Sequence, residues 1–461
     1  MTSIPRDATR REFLRRTVAT AATGIAAPMA LNLSAIGRLA AADAGDYKAL
    51  VCVFLYGAND HYNTVVPYDA ENHAIYSRLR QGLALGRDRL GGTVLDGPGG
   101  ALGGRRFALA PELSDVATLW RERRANILLN VGPLMQPTTK SQFVNRSVAI
   151  PPKVFSHNDQ QSVWQSLAAE GARSGWGGRL TDAVLDVNAD DAFSAISIAG
   201  DALYLSGDTS VQYRMSSEGP IPLVTRRSGR LFGSAEIART MERLMTETGN
   251  GHLMAQALRS TATRALDAHD KLAAGLASST PPTTAFGEDR LGAQLRMVAR
   301  IIAARESLGV KRQVFFVGAG GFDLHDDLLA GHPPLLSMVN GALHSFYRAT
   351  EELGVSDRVT AFTASDFGRT LSGNGDGTDH GWGSHHLIVG GAVRGGRYSG
   401  AAPMLGDDGP DDVGRGRLLP TTSIEQLAAS LGRWFGASES ELADILPRLS
   451  RFDGADLGIM G

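Results

Sequence analysis

The chain has a single cysteine, Cys52, among 461 residues. No internal disulfide is available, so the core must hold the fold unaided. Basic charge is not in excess either: 46 lysines and arginines against 48 acids leave a formal net charge of −2. A nucleic-acid-binding face needs clustered basic residues, and this balance offers none. Beyond the first forty or so residues no run of about eighteen apolar residues occurs, which excludes a further membrane span. What is present is a globular composition, 43% hydrophobic and 20% charged, enough for a sizeable core. Cys52 lies in the apolar run "ALVCVFLYG" and reads as a core thiol.

The N-terminus has the layout of an export signal. Arg10 and Arg11 stand before Phe13-Leu14, a mildly apolar stretch runs from Val18 to Ile36, and small residues follow in "RLAAADA". The paired arginines point to the twin-arginine route, with residues 1–42 as the signal and Ala40-x-Ala42 or Ala42-x-Ala44 as cleavage sites. Pro28, Asn32 and the alanine-rich composition make the stretch too weakly apolar for a stable span. Removing six arginines and two acids with it moves the formal charge from −2 to about −6. A periplasmic or otherwise extracytoplasmic protein is expected, with the twin-arginine translocase as its partner during export.

The remaining 43–461 read as one α/β domain. "KALVCVFLYGAND" (48–60), "RANILLNVG" (124–132), "RQVFFVGAGGFD" and "RVTAFTASDFG" are near-continuous apolar runs, as expected of strands buried on both faces of a mostly parallel sheet. Between the last two, "LLSMVNGALHSFYRATEELG" carries Leu336, Val339, Leu343 and Phe346 at helical spacing, which completes a βαβ unit. An insertion or cap is expected around 190–285, where short β-like runs and two helical stretches occur. Residues 399–417 read as a surface excursion whose aspartates lack calcium-loop spacing. Thr422 to Glu425 read as a capping box that opens a C-terminal helix.

Polar residues gather where these strands end. Asp60 ends the first run, Asp323 and His325 follow "VFFVGAGG", Asp366 ends "FTAS", and His380 precedes the apolar "LIVGG". Ligands of open α/β sheets bind beyond the carboxyl ends of the strands. Carboxylates mixed with imidazoles suit zinc, manganese or another first-row ion, and carboxylates alone suit magnesium or calcium. Each residue also has a plain structural reading. Asp60 can cap a helix or anchor a turn, Asp366 can pair with Arg369, and His380 beside Trp382 can be a core histidine. Ser156 in "KVFSHNDQQSVWQSL" stands at a helix start, where a hydroxyl serves either as a metal-activated nucleophile or as an N-cap. Arg179 or Arg369 can hold an anion or simply brace the sheet.

The motifs "GANDHYNTVVPY", "FSHNDQ", "GWGGRL", "GGFDLH", "SDFGRT", "GTDHGWG" and "PTTS…LGRWFG", with the arginine-pair signal, resemble the exported domain-of-unknown-function family 1501. That family is grouped with the alkaline phosphatase-like superfamily, and the resemblance covers nearly the whole mature chain. It implies a three-layer α/β/α sandwich with a metal site of one or two divalent ions. It also implies an order of site residues: Asp60, Ser156, Asp323 with His325, Asp366, and His380.

Two departures bear on the site. Phe367 stands where the superfamily has the histidine of an Asp-His pair, and His325 follows Asp323 closely. Asp379-His380 is an alternative pair, with His385 or His386 as the last ligand. The sulfatase signature Cys-x-Pro-x-Arg is absent. The expectation is therefore a metal-dependent hydrolase of small phosphate or sulfate esters, with metal ligands Asp60, Asp323, His325, Asp366 and His380 and catalytic residues Ser156 and Arg369. The alternative is a non-catalytic binding or assembly protein on the same scaffold.

Overall fold

The computed structural model describes residues 47–461 except 98–101, 103, 224–225, 227, 248–251 and 407. The expected export signal, residues 1–42, lies outside the described residues. Neighbouring strands order the main sheet as Arg397–Ser399, Ala125–Gly132, Ser384–Gly390, Val359–Ser365, Lys48–Leu55, Arg312–Ala319, Ala195–Ser197, Tyr213–Ser216 and Gly219–Pro220. Lys48–Leu55 runs parallel to both its neighbours, and Ser384–Gly390 runs antiparallel to both of its own.

Alternation explains the layers. Ala49, Val51, Val53 and Leu55 join one core cluster with Phe315, Val317 and Ala319. Leu50, Cys52 and Phe54 join the other with Val314 and Phe316. Successive strand side chains point to opposite faces, so a strand apolar at every position needs cover on both. The first face is covered by helices Ser114–Arg121, Arg290–Ala303 and Leu328–Glu352. The second is covered by His157–Ser166, Trp176–Val184 and Ile424–Phe435. The fold is a three-layer α/β/α sandwich on a mostly parallel sheet.

Three details differ from the sequence reading. The β-like runs at 195 and 213 extend the main sheet itself, Ala195–Ser197 pairing with Arg312–Ala319 and Tyr213–Ser216 with Ala195–Ser197. The long helix begins at Leu328 and carries Pro333 and Pro334 inside it, although proline there removes intrahelical donors. The C-terminal helix is capped by Ser423 with Gln426, one residue later than read, and Thr422 and Ser423 also pair with Val131 and Gly132 in the sheet.

Strand direction positions the site. Leu55 lies level with Ala319 and Ser365 in adjacent parallel strands, so the segments after all three emerge at one edge. The antiparallel strand Ser384–Gly390 starts at that same edge, which places the preceding His380 there as well. Glycines let the loops close on one another. A Cβ on Gly57, already at φ +105°, would lie 2.6 Å from the Asp323 nitrogen, and one on Gly377 would lie 2.1 Å from the His325 carbonyl.

Candidate metal centre

A two-stranded hairpin, Arg369–Gly373 with Thr378–His380, pairs Arg369 with His380 across its strands. This brings His380 over the loop that carries Asp323 and His325. The helix His157–Ser166 delivers a third imidazole from its first residue. Among the described residues, His157, Asp323 and His380 each offer a ligand atom within 4.8 Å of the others.

The distances are tighter than that limit. His157 Nε2 lies 3.1 Å from His380 Nε2 and 3.3 Å from Asp323 Oδ2. His325 Nε2 lies 3.0 Å from His380 Nε2 and 3.1 Å from Asp323 Oδ1, and His380 Nε2 lies 3.4 Å from that oxygen. Four ligand atoms about 2.0–2.1 Å from a tetrahedral ion stand about 3.3 Å apart. His157, Asp323 and His380 therefore fit a first-row divalent ion in both chemistry and spacing, and His325 adjoins them on the His380 and Asp323 side.

The opposite ring nitrogens are fixed by acceptors. His157 Nδ1 is 2.5 Å from Asp366 Oδ2, His380 Nδ1 is 2.8 Å from the Phe155 carbonyl, and His325 Nδ1 faces Asp379 Oδ1 at 3.4 Å. An acceptor at Nδ1 places the proton there and leaves a bare lone pair on Nε2. Three such lone pairs converge on one carboxylate, an arrangement that repels itself unless a cation or protons occupy it. Hydrogen bonds to Asp323 and then Asp366 accordingly raise the His157 pKa to about 9. Burial works to raise that of Asp323, but hydrogen bonds from His157, His380 and Arg369 hold it well below the usual carboxylate range.

Of the residues expected from sequence, Asp323, His325 and His380 meet directly. Asp366 stands one step back. Fully buried, its Oδ2 accepts from Gly57 N at 3.2 Å and Gln161 Nε2 at 3.0 Å while it faces His157. Asp60 does not join the cluster. Its Oδ2 is paired with buried Arg80, and its Oδ1 accepts from Asn63 N at 3.0 Å as the cap of a short 3-10 turn. Arg80, twenty residues downstream, supplies the positive charge that a metal was expected to supply. Arg369 is spent inside the protein, on Asp323, on Thr378 Oγ1 at 2.9 Å and on the Thr378 carbonyl. Its guanidinium is turned onto Asp323. Ser156 occupies the N-cap position without capping the backbone, and its Oγ donates to Asp159 Oδ2 at 2.9 Å. Arg179 binds the carbonyls of Ser166 and Ile445 at 3.0 and 3.2 Å and braces the helices. His385 and His386 are buried in the strand.

His157 was missed from sequence although it adjoins Ser156 in the same motif. An imidazole on the first turn of a helix gives no periodic signal of its own. Phe367 acts as a wall, its ring 4.8 Å from the rings of both His157 and His380.

The family model described as "Protein of unknown function (DUF1501)" matches residues 47–446. The chain belongs to the DUF1501 family. No curated protein matches the sequence. Among solved structures, Ps i-CgsB in complex with k-i-k-neocarrahexaose is similar at 9% identity and a TM-score of 0.37, over 90% of this chain and 77% of that one. The PsFucS1 sulfatase from Pseudoalteromonas sp. is similar at 10% identity and a TM-score of 0.36, over 93% of this chain and 76% of that one.

Proposed function

We propose that this DUF1501 protein is a metal-dependent hydrolase of anionic esters, phosphate or sulfate, that works outside the cytoplasm after twin-arginine export. His157, Asp323, His325 and His380 hold one divalent ion in this reading. The observation that carries it is the convergence of three Nε2 atoms on the Asp323 carboxylate at 3.1–3.4 Å. Three imidazoles with one carboxylate favour zinc or manganese over magnesium. Bound there, such an ion supplies Lewis acidity toward an ester oxygen and a water acidified enough to attack.

The chain's own groups do the rest. Asp366 and the Phe155 carbonyl orient His157 and His380, and Arg369 orients Asp323. Ser156 is tied to Asp159, which favours water over a seryl intermediate as the nucleophile. The first-turn amides of helix His157–Ser166 lack a side-chain cap and suit an incoming anion. Lys153, 3.5 Å from Asp159, and Arg415, paired with Asp379, are part-exposed cations that an anionic ester would have to draw from those carboxylates.

The test is metal analysis of purified protein with a screen of aryl phosphates and aryl sulfates, each with and without chelator. Near-stoichiometric metal, chelator-sensitive turnover and loss of metal in His380→Ala are expected. Full metal retention in that variant overturns the proposal. Phe367 favours a second reading, because it stands where the superfamily resemblance has a histidine ligand and offers no donor atom there. A non-catalytic binding protein would retain the metal and bind inorganic phosphate or sulfate in calorimetry with no turnover across the screen.

A further inference from the structure

Large apolar side chains exposed to solvent are concentrated in one part of this protein. Ile237, Met241 and Leu244 stand 45%, 41% and 71% exposed on helix Ala235–Thr246. Their spacing puts them on one stripe of that helix. Leu253, Met254 and Leu258 are 79%, 74% and 64% exposed on the first turns of the following helix, Leu253–Ser278, and Phe232 just before the pair is 88% exposed. The second helix buries Leu266, Ala268, Leu272 and Gly275, all in its later half. The hairpin is therefore anchored at one end and stands clear at the other. Arg226 fastens its two arms together, gripping Glu242 at 2.6 Å and Asp270 at 2.7 Å.

Charge chooses the occupant of this face. Residues 226–264 hold seven arginines and three glutamates, a net of +4, on a chain whose formal charge is −2. Arg239 and Arg243 are exposed on the same helix as the apolar stripe. A second copy of the chain would bring two such basic segments together, at an electrostatic cost. An anionic lipid surface attracts the arginines and takes up the apolar side chains below its headgroups.

We propose that this helical hairpin docks the protein on an anionic membrane surface, with Phe232, Leu244 and Met254 entering the interface and Arg239 and Arg243 meeting lipid phosphates. The inference is independent of the metal centre, whose ligands lie on other elements.

The experiment is co-sedimentation of the full chain with vesicles of phosphatidylcholine plus phosphatidylglycerol, and with vesicles of phosphatidylcholine alone. Binding to the anionic vesicles is expected, weakening as salt is raised. The double variants L244D/M254D and R239E/R243E should each lower the bound fraction by about tenfold or more, with thermal unfolding unchanged because the altered side chains are exposed. Failure to sediment with anionic vesicles at low salt overturns the proposal, and so does equal sedimentation with phosphatidylcholine alone. Ultracentrifugation that shows a dimer dissolved by L244D/M254D, without vesicle binding, assigns the face to self-association instead.

Discussion

His157 Nδ1 lies 2.5 Å from Asp366 Oδ2, and this contact joins a helix start to a strand end 209 residues away. It decides which nitrogen of His157 faces the cluster. Asp366→Asn keeps the shape of the side chain but weakens its acceptor character toward the imidazole. Metal affinity should fall about 10–100-fold, measured by competition with a chromogenic chelator, whereas His157→Ala should abolish stoichiometric binding. Unchanged affinity in Asp366→Asn would show that the contact does not orient a ligand.

Arg80 and Asp60 form a pair whose side chains are both fully buried. Removing one partner of such a pair leaves an uncompensated buried charge. Arg80→Ala should lose about 3–5 kcal/mol in urea unfolding while metal per chain stays the same. A loss of metal with unchanged stability would return Asp60 to the ligand set.

Ser156→Ala deletes one hydroxyl that donates to Asp159. A stability loss of about 1 kcal/mol is expected, with turnover of any responsive ester within about tenfold of the parent. A fall of about a thousandfold or more with metal intact would make Ser156 the nucleophile.

Burial depresses the pKa of His332 and His385 to about 4 and of His386 to about 3, and holds His61 well below the usual imidazole value. In the unfolded chain these groups titrate near the ordinary value of about 6.5. Between these limits the unfolded state binds more protons, so the stability they contribute is full above about pH 6.5 and drains as pH falls toward 4. Each contributes a slope of about 1.4 kcal/mol per pH unit in that window. Urea midpoints measured from pH 7.5 down to 5 should fall accordingly, and His332→Gln should flatten the slope by one such increment.

Phe367 is fully buried against both His157 and His380. Phe367→Ala should cost about 3–5 kcal/mol and loosen the metal as well, since the two rings lose a common wall. Metal affinity unchanged in a destabilised Phe367→Ala would confine the residue to packing.

Much of the architecture was legible in the chain itself. Strands buried on both faces read as near-continuous apolar runs, so Lys48–Leu55, Ala125–Gly132, Arg312–Ala319 and Val359–Ser365 announce themselves, and with them the strand-end positions of Asp323 and Asp366. The positions of Asp323, His325 and His380 follow from the same reading, because polar residues beyond apolar strands have few other places to go. What tertiary structure decided was which partners those groups find. Asp60 ends a strand like the others, but Arg80 comes from a helix twenty residues on and takes its carboxylate. Arg369 could meet either a ligand or its own protein until the hairpin turned it onto Asp323 and Thr378. His157 becomes a ligand candidate only because its helix starts beside a strand edge that residues more than 150 positions away have built. Sequence carries burial and direction through periodicity; the pairing of charges at long separation is set by packing, which no local pattern records.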